Sequence, residues 1–183
     1  MPVIQLTKVR IIYPNVFEPR SVMDSEPKYS ATFLFAPDHS AHAAVKAAIE
    51  QAAKEKWGEK APAVLKACRA SAKTCLRNGD DKAVDGFEGH MYISSSNKKK
   101  SAVWDRDGVT PLVADDGKPY GGCYVNAFVD IYALDMPGVG KGVWASLGSV
   151  QFHSDGEPMG GGGGAGASSM KFESVDDDEE SLV

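Results

Sequence analysis

The stretch CYVNAFVDIYAL, residues 123–134, sorts its side chains into two classes by position. The odd-numbered positions hold only small or aliphatic residues: Cys123, Val125, Ala127, Val129, Ile131 and Ala133. The even-numbered positions up to 132 hold aromatic or polar residues: Tyr124, Asn126, Phe128, Asp130 and Tyr132. Because successive side chains of a strand point to opposite faces, this alternation predicts a long β-strand. Its aliphatic face suits the interior of a small closed barrel.

Further strands are predicted on both sides of this segment. VIQLTKVRIIYPNVFEP (3–19) and KYSATFLFAP (28–37) are rich in β-branched and aromatic residues. HMYISSS (90–96) and SAVWD (101–105) follow later in the chain, and VWASLGSVQF (143–152) is predicted to form a hairpin with residues 123–134. The strands therefore form an early pair and a late group, with a long interval between them.

That interval has helical character. The Ala-rich residues 39–58 repeat apolar side chains at helical spacing, with Asp38 as the predicted N-cap and Gly58 as the predicted end. A shorter helix is predicted over residues 61–71. We therefore predict a mainly β (α+β) fold, a five-stranded Greek-key OB-fold barrel over residues 1–156 with a helical insertion at about 38–71. The pattern alone would also allow another α+β barrel or a sandwich.

The C-terminal part of the sequence differs from the rest in composition. GGGGGAGASSMKFESVDDDEESLV (160–183) combines glycine and serine with a run of acids, and residues 157–183 are predicted to be a disordered linker and acidic tail. The whole chain of 183 residues has a formal charge of −5, but the part from Asp155 onward carries −7 and the remainder carries +2. This asymmetry favours an anionic partner that the tail can imitate. An acidic tail that only aids solubility is the alternative.

The aromatic face of residues 123–134 needs an explanation in a water-soluble barrel. One explanation is that another layer, such as the helical insertion, covers it. The other is a stacking platform, because nucleic-acid bases stack on exposed aromatic rings with little regard to sequence. Basic residues in neighbouring strands and turns would then contact phosphates, although basic turns are also common as simple solvated loops.

This interpretation gives a set of candidate residues for nucleic-acid binding. The predicted stacking residues are Tyr124, Phe128 and Tyr132, with Tyr92 and Trp104 as second choices. The predicted phosphate contacts are Lys8, Arg10, Lys98, Lys99, Lys100 and Lys141. The predicted autoinhibitory or partner-binding tail residues are Asp176, Asp177, Asp178, Glu179, Glu180, Leu182 and Val183.

Catalytic patterns are weak throughout the sequence. His39 and His42 have helical spacing, but surface positions explain them better than a metal site, and GVGKG (138–142) lacks the spacing of a phosphate-binding loop. The three cysteines have no C-x-x-C pair, which favours reduced thiols in a cytosol. We expect no enzyme activity, no metal and no cofactor. We also expect no signal peptide and no membrane span.

Three segments resemble the phage-encoded single-stranded DNA-binding proteins of the OB-fold type. They are VRIIYPNVFEP (9–19), YSATFLFAP (29–37) and GVWASLGSVQFHSDGEPMGGG (142–162), and the resemblance spans most of residues 3–164. It implies an OB-fold, sequence-independent binding of single-stranded DNA, a role in phage DNA replication and recombination, and a location in the host-cell cytoplasm. The acidic tail is similar to that of bacterial single-stranded DNA-binding proteins, which implies replication partners. The bacterial tail ends in an aromatic residue, whereas Leu182 and Val183 stand here.

The sequence is also compatible with two other functions. An RNA-binding OB module would use the same stacking chemistry unless its site excluded the 2′-hydroxyl. A phage structural or protein-interaction component would present the aromatic face to another polypeptide.

Overall fold

The computed structural model of the protein describes residues 2–21, 25–82, 84 and 86–159. The strands are β1 (Val3–Arg20), β2 (Lys28–Phe35), β3 (Leu76–Asn78), β4 (Met91–Asn97), β5 (Val103–Trp104), β6 (Tyr124–Met136) and β7 (Gly140–Ser154). The helices are α1 (Ser40–Trp57) and α2 (Ala61–Ala70), which confirms a helical insertion between the second and third predicted strands. The predicted acidic tail, Asp176 to Val183, lies outside the described residues.

Five of the strands close into a barrel. β1 pairs antiparallel with β2 on one side and with β6 on the other, β2 pairs with β4, and β6 pairs with β7. A parallel contact between Ser96 of β4 and Ser146 of β7 completes the ring. The short β3 extends the sheet beyond β4, and the short β5 runs parallel to β7. The predicted barrel with a helical insertion is confirmed.

The aliphatic side of β6 faces the barrel interior, as its alternation predicts. Cys123, Val125, Ala127, Val129 and Ile131 are fully buried and join one cluster with residues from every other barrel strand. Phe33 of β2 is the largest fully buried side chain in this cluster. The barrel therefore has a packed interior, which turns the other side of β6 outward.

β1 bends sharply at two irregular positions. The register with β6 shifts between Leu6 and Val9, and Lys8 at the shift has a left-handed backbone with φ of 52°. A second irregularity surrounds Tyr13, whose φ is 53°. Bulges of this kind increase the twist of a strand. They let an 18-residue strand curve around the barrel and pair with both neighbours.

The helical insertion packs on the barrel through a stripe of small side chains. The buried residues of α1 are Ala41, Val45, Ala48, Ile49, Ala52 and Ala53. The predicted N-cap at Asp38 is wrong by one residue, since the Nδ1 atom of His39 accepts a hydrogen bond of 3.0 Å from the backbone N–H of Ala41. The ring of His39 therefore caps the N-terminus of α1, where it satisfies a backbone donor that has no partner within the helix.

A second, smaller cluster lies outside the barrel. Phe87, in the connection between β3 and β4, is fully buried against Ile12, Leu34 and Tyr92. Met159 packs on the same cluster, and its backbone N–H donates to the carbonyl of Gly121 at 2.9 Å. The packed part of the chain thus continues past the predicted boundary at residue 156 to Met159.

Candidate nucleic-acid interface

Four strands, β1, β6, β7 and β5, present one continuous outer surface of the barrel. Pairing places Gln5 opposite Phe128 and Arg10 opposite Tyr124, while Gln151 lies between Asn126 and Trp104. We call this surface the outer sheet face and define it by Gln5, Lys8, Arg10, Trp104, Tyr124, Asn126, Phe128 and Gln151. It unites five of the residues predicted from the sequence.

Phe128 and Trp104 line the same groove on this face. The groove has a volume of about 210 Å³, and Gln5, Asn126 and Gln151 line it as well. Phe128 is 44% exposed, which is high for a large apolar side chain at mid-strand. β7 bulges opposite it, and a side chain at Gly148 would come within 2.6 Å of the Phe128 carbonyl. Glycine at 148 thus permits the close backbone approach beneath the exposed ring.

A chain of amide hydrogen bonds forms the floor between the rings. The Oδ1 atom of Asn126 accepts from the backbone N–H of Lys8 at 2.9 Å, which holds the β1 bulge. The Nδ2 atom of Asn126 donates to Gln151 Oε1 at 3.0 Å, and Gln151 Nε2 donates to the Arg106 carbonyl at 3.0 Å. Because these amides are occupied with one another, the floor is fixed and offers few free groups for reading base edges.

The other end of the face is cationic. The ring centroid of Tyr124 lies 5.8 Å from Lys8 Nζ and 5.7 Å from the Arg10 guanidinium carbon. Arg10 also donates to the carbonyls of Gly122 and Glu157, at 3.0 and 2.7 Å. Tyr124 is therefore half-buried beneath two cations. At this position a ligand meets the charges of Lys8 and Arg10 rather than an open ring face.

The lysine-rich turn follows β4. Asn97 Nδ2 donates to the Leu147 carbonyl of β7 at 3.0 Å, and the chain then runs beside β7 as far as Trp104. Lys98, Lys99 and Lys100 are exposed. Lys98 forms a surface ion pair of 2.8 Å with Glu26, whose hydrogen bond and charge raise the pKa of Lys98. Lys99 and Lys100 form no ion pair with any residue that the structure describes.

Besides the three turn lysines, three other predicted residues are not part of the outer sheet face. Tyr92 is only 5% exposed, and its ring meets Phe87 edge-on at 5.4 Å, so its assignment as a stacking residue is wrong. Tyr132 is half-buried eight residues along β6 from Tyr124, about 27 Å at the rise of a strand. The pKa of Tyr132 is raised, mainly by burial and to a lesser extent by the nearby Cys75. Lys141 lies farther still, opposite Asp135 and beside α2.

A second groove, which the sequence reasoning missed, lies over β2 and β4. It measures about 300 Å³ and is lined by Tyr13, Ala31 and five hydroxyl side chains, Ser30, Thr32, Ser94, Ser95 and Ser96. Next to it, Lys82 Nζ lies 5.3–5.4 Å from the rings of Tyr13, Phe87 and Tyr92. Burial, and then the charge of Arg77, lowers the pKa of Lys82. The run of three serines at 94–96 was the feature of the sequence that could have indicated this groove.

Comparison with known proteins identifies the relatives of this barrel. The sequence model of the Enterobacter phage Enc34 ssDNA-binding protein family matches residues 1–182. The chain belongs to this family. Homologues in it are non-enzymatic, in agreement with the expected absence of catalysis. Protein p50 of Acyrthosiphon pisum secondary endosymbiont phage 1 is 42% identical over 183 residues, 98% of each chain.

Solved structures of the Enc34 family share the fold closely. The single-stranded DNA-binding protein from bacteriophage Enc34 in complex with ssDNA has a TM-score of 0.72 and 25% identity, over 85% of this chain and 88% of that chain. The same protein without DNA has a TM-score of 0.70 and 26% identity, over 87% and 85%. Bacteriophage T7 gp2.5, at 13% identity and a TM-score of 0.58 over 96% and 98%, shares the fold.

The described residues contain no group of three or more His, Cys, Asp or Glu side chains placed to hold a metal ion. The three cysteines, Cys68, Cys75 and Cys123, are all free and buried. No helix in the described part of the chain has both the length and the apolar character needed to cross a membrane.

Proposed function

We propose that this protein binds single-stranded DNA without sequence preference, and that it coats and protects the strand during phage DNA replication and recombination. The observation that carries the proposal is the exposed Phe128 beside Trp104 in a groove of the outer sheet face, the same face on which Lys8 and Arg10 lie over Tyr124. Membership of the Enc34 ssDNA-binding protein family supports it.

Two kinds of contact contribute to the free energy of ssDNA binding. Bases stack on Phe128 and Trp104, and each stacked base contributes roughly 1–3 kcal/mol whichever base it is. Phosphates meet Lys8 and Arg10 and, along the edge of β7, Lys99 and Lys100. Asn126 and Gln151 hydrogen-bond to each other, so they add little discrimination between bases. Sequence-independent binding follows from this division of roles.

Titration with oligo-dT tests the proposal. Tryptophan fluorescence should be quenched, because Trp104 lies in the stacking groove, and Trp104→Phe should remove most of the quenching. An oligo-dA of equal length should bind with similar affinity. An RNA that binds more tightly than DNA would favour an RNA-binding module. Absence of quenching and of binding to any oligonucleotide would favour a protein-interaction component.

The acidic tail is proposed to modulate binding of DNA and of replication proteins. The segment that leads into it crosses the cationic end of the face, where Arg10 holds the Glu157 carbonyl. A tether of this length gives a local concentration that can reach the mM range. The acidic residues therefore compete with weak polyanions for Lys8 and Arg10, and ssDNA displaces them.

Deleting residues 165–183 should tighten ssDNA binding by roughly two- to tenfold at low salt, since a tethered competitor at mM concentration is lost. The deleted segment carries six acids and one base, so the formal charge changes from −5 to about zero. Oligo-dT titrations of both chains at low protein concentration measure the effect. Replacing Asp176–Glu180 with serine and asparagine is the matched control for length. Unchanged affinity in both variants would contradict the competition.

A further inference from the structure

A lysine-rimmed pocket lies between α2 and the β6–β7 hairpin, away from the outer sheet face. It measures about 640 Å³. Val64, Ala67 and Cys68 of α2 contribute apolar surface to it. Its charged residues are Lys60, Lys73, Lys141 and Asp135, which gives an excess of two positive charges. We call it the α2 pocket.

The lysines of the α2 pocket form no ion pair with a carboxylate of the described residues. Lys60 and Lys141 are exposed and form no ion pair with a residue that the structure describes. Lys73 donates to the Val139 carbonyl, so its charge is held at the rim and is not neutralised by a carboxylate. The site has apolar surface surrounded by cations, and its partner should carry apolar side chains next to several acids.

The other large cavity fits such a partner less well. It lies between α1, α2 and β3, and Lys46, Arg69 and Arg77 line it together with Glu50 and Asp81. Arg77 is already used there, donating to the carbonyls of Thr74 and Ala72 at 3.1 and 2.8 Å. Its two acids would repel an acidic ligand, whereas the α2 pocket contains only Asp135.

We infer that the α2 pocket binds the tail segment ESVDDDEESLV (173–183) of the same chain when ssDNA occupies the outer sheet face. This inference rests on the proposed function for its ssDNA dependence. The segment has six acids and no base, and it ends in Leu182 and Val183. The acids pair with Lys60, Lys73 and Lys141, and the two apolar side chains cover Val64 and Ala67.

The chain is long enough to make this contact. The described part ends at Met159, beside Gly121 near the start of β6, and Asp135 of the pocket lies near the other end. Eleven residues of strand separate Tyr124 from Asp135, about 37 Å. The 17 residues from Met159 to Asp176 can span up to about 58 Å. Tethering then makes a weak contact effective at mM local concentration.

Carbodiimide coupling of the full-length chain, which joins carboxylates directly to amines, tests the inference. With saturating oligo-dT, acids of residues 173–180 should couple to Lys60 and Lys141 several times more often than to Lys54 and Lys66, exposed lysines of α1 and α2 outside the pocket. Peptide mapping by mass spectrometry identifies the pairs. Mixing ¹⁴N and ¹⁵N protein should yield only like-isotope pairs, and mixed pairs in statistical proportion would overturn the same-chain assignment.

A matched pair of variants separates the pocket from general surface charge. Ala67→Glu places an acid in the pocket and removes no lysine, and it should lower coupling to Lys60 and Lys141 by about fivefold. Ala47→Glu makes the same change on the exposed side of α1 and should leave coupling unchanged. Even coupling over all exposed lysines, or no effect of Ala67→Glu, would overturn the inference.

Tryptophan fluorescence in the same samples separates this inference from the proposed function. If oligo-dT binds and the pocket lysines do not couple, the α2 pocket assignment fails and ssDNA binding stands. If oligo-dT does not bind, the proposed function fails and the ssDNA-dependent docking fails with it.

Discussion

Replacing both Trp104 and Phe128 with alanine is expected to weaken oligo-dT binding by about 2–6 kcal/mol, which is at least about 30-fold. The two rings line one groove, and Phe128 is the more exposed of the two. Each ring lost removes the stacking of one base, roughly 1–3 kcal/mol. Because the rings share a groove, the double variant should be compared with both single variants, where a deviation from additivity measures their coupling.

Tyr132→Ala is the matched control for this prediction. Tyr132 lies on the same side of β6, but it is half-buried and about 13 Å along the strand from Phe128. Its loss should lower thermal stability more than oligo-dT affinity, whereas Phe128→Ala should do the reverse. Titrations and melting curves of both variants give the comparison. If a Trp104/Phe128 double variant folds and binds oligo-dT as tightly as the natural chain, the groove is not part of the ssDNA site.

The alternation of β6 was the most informative feature of the sequence, because burial on one face of a strand is a local pattern with a period of two. It correctly predicted the interior set and the exposure of Phe128. It did not distinguish among the outward rings. Tyr124 is partly covered by Lys8 and Arg10, which reach it only because the β1 bulge places them there. That bulge depends on the distant Asn126 side chain.

Tyr92 shows a second limit of local reasoning. Its strand has the right residues, and its side chain does point out of the barrel, where Leu34 and Ile12 also lie. What buries it is Phe87, from a segment whose glycines and acids predicted only a loop. The return of that loop onto the sheet is a long-range packing event with no periodic signature. The position of Lys141 was missed for a similar reason, since the register of the β6–β7 hairpin decides its distance from Tyr124.

Removing the two cations of β1 should have an effect that depends on salt. Each phosphate contact on single strands contributes about 0.7 to the slope of log K against log salt, so Lys8→Gln with Arg10→Gln should reduce that slope by about 1.4. The same slope implies a loss of about 60-fold at about 50 mM salt, which fades toward 1 M salt. Glutamine keeps much of the length of both side chains. Position 8 has a left-handed backbone with φ of 52°, but the residue there is already not glycine, so Lys8→Gln adds no new backbone strain.

The salt series separates loss of phosphate contacts from damage to the face. Arg10 also anchors the Glu157 carbonyl, so the double variant could disturb the segment over the face as well as the charge. Disturbance of that kind would weaken binding equally at all salt concentrations, whereas lost phosphate contacts change the slope. Lys54→Gln with Lys66→Gln makes the same charge change on exposed helix positions and should leave the slope almost unaltered. An equal slope in the natural chain and the β1 variant would mean that ssDNA phosphates bind elsewhere, and the hydroxyl-lined groove beside Lys82 would then be the next surface to test.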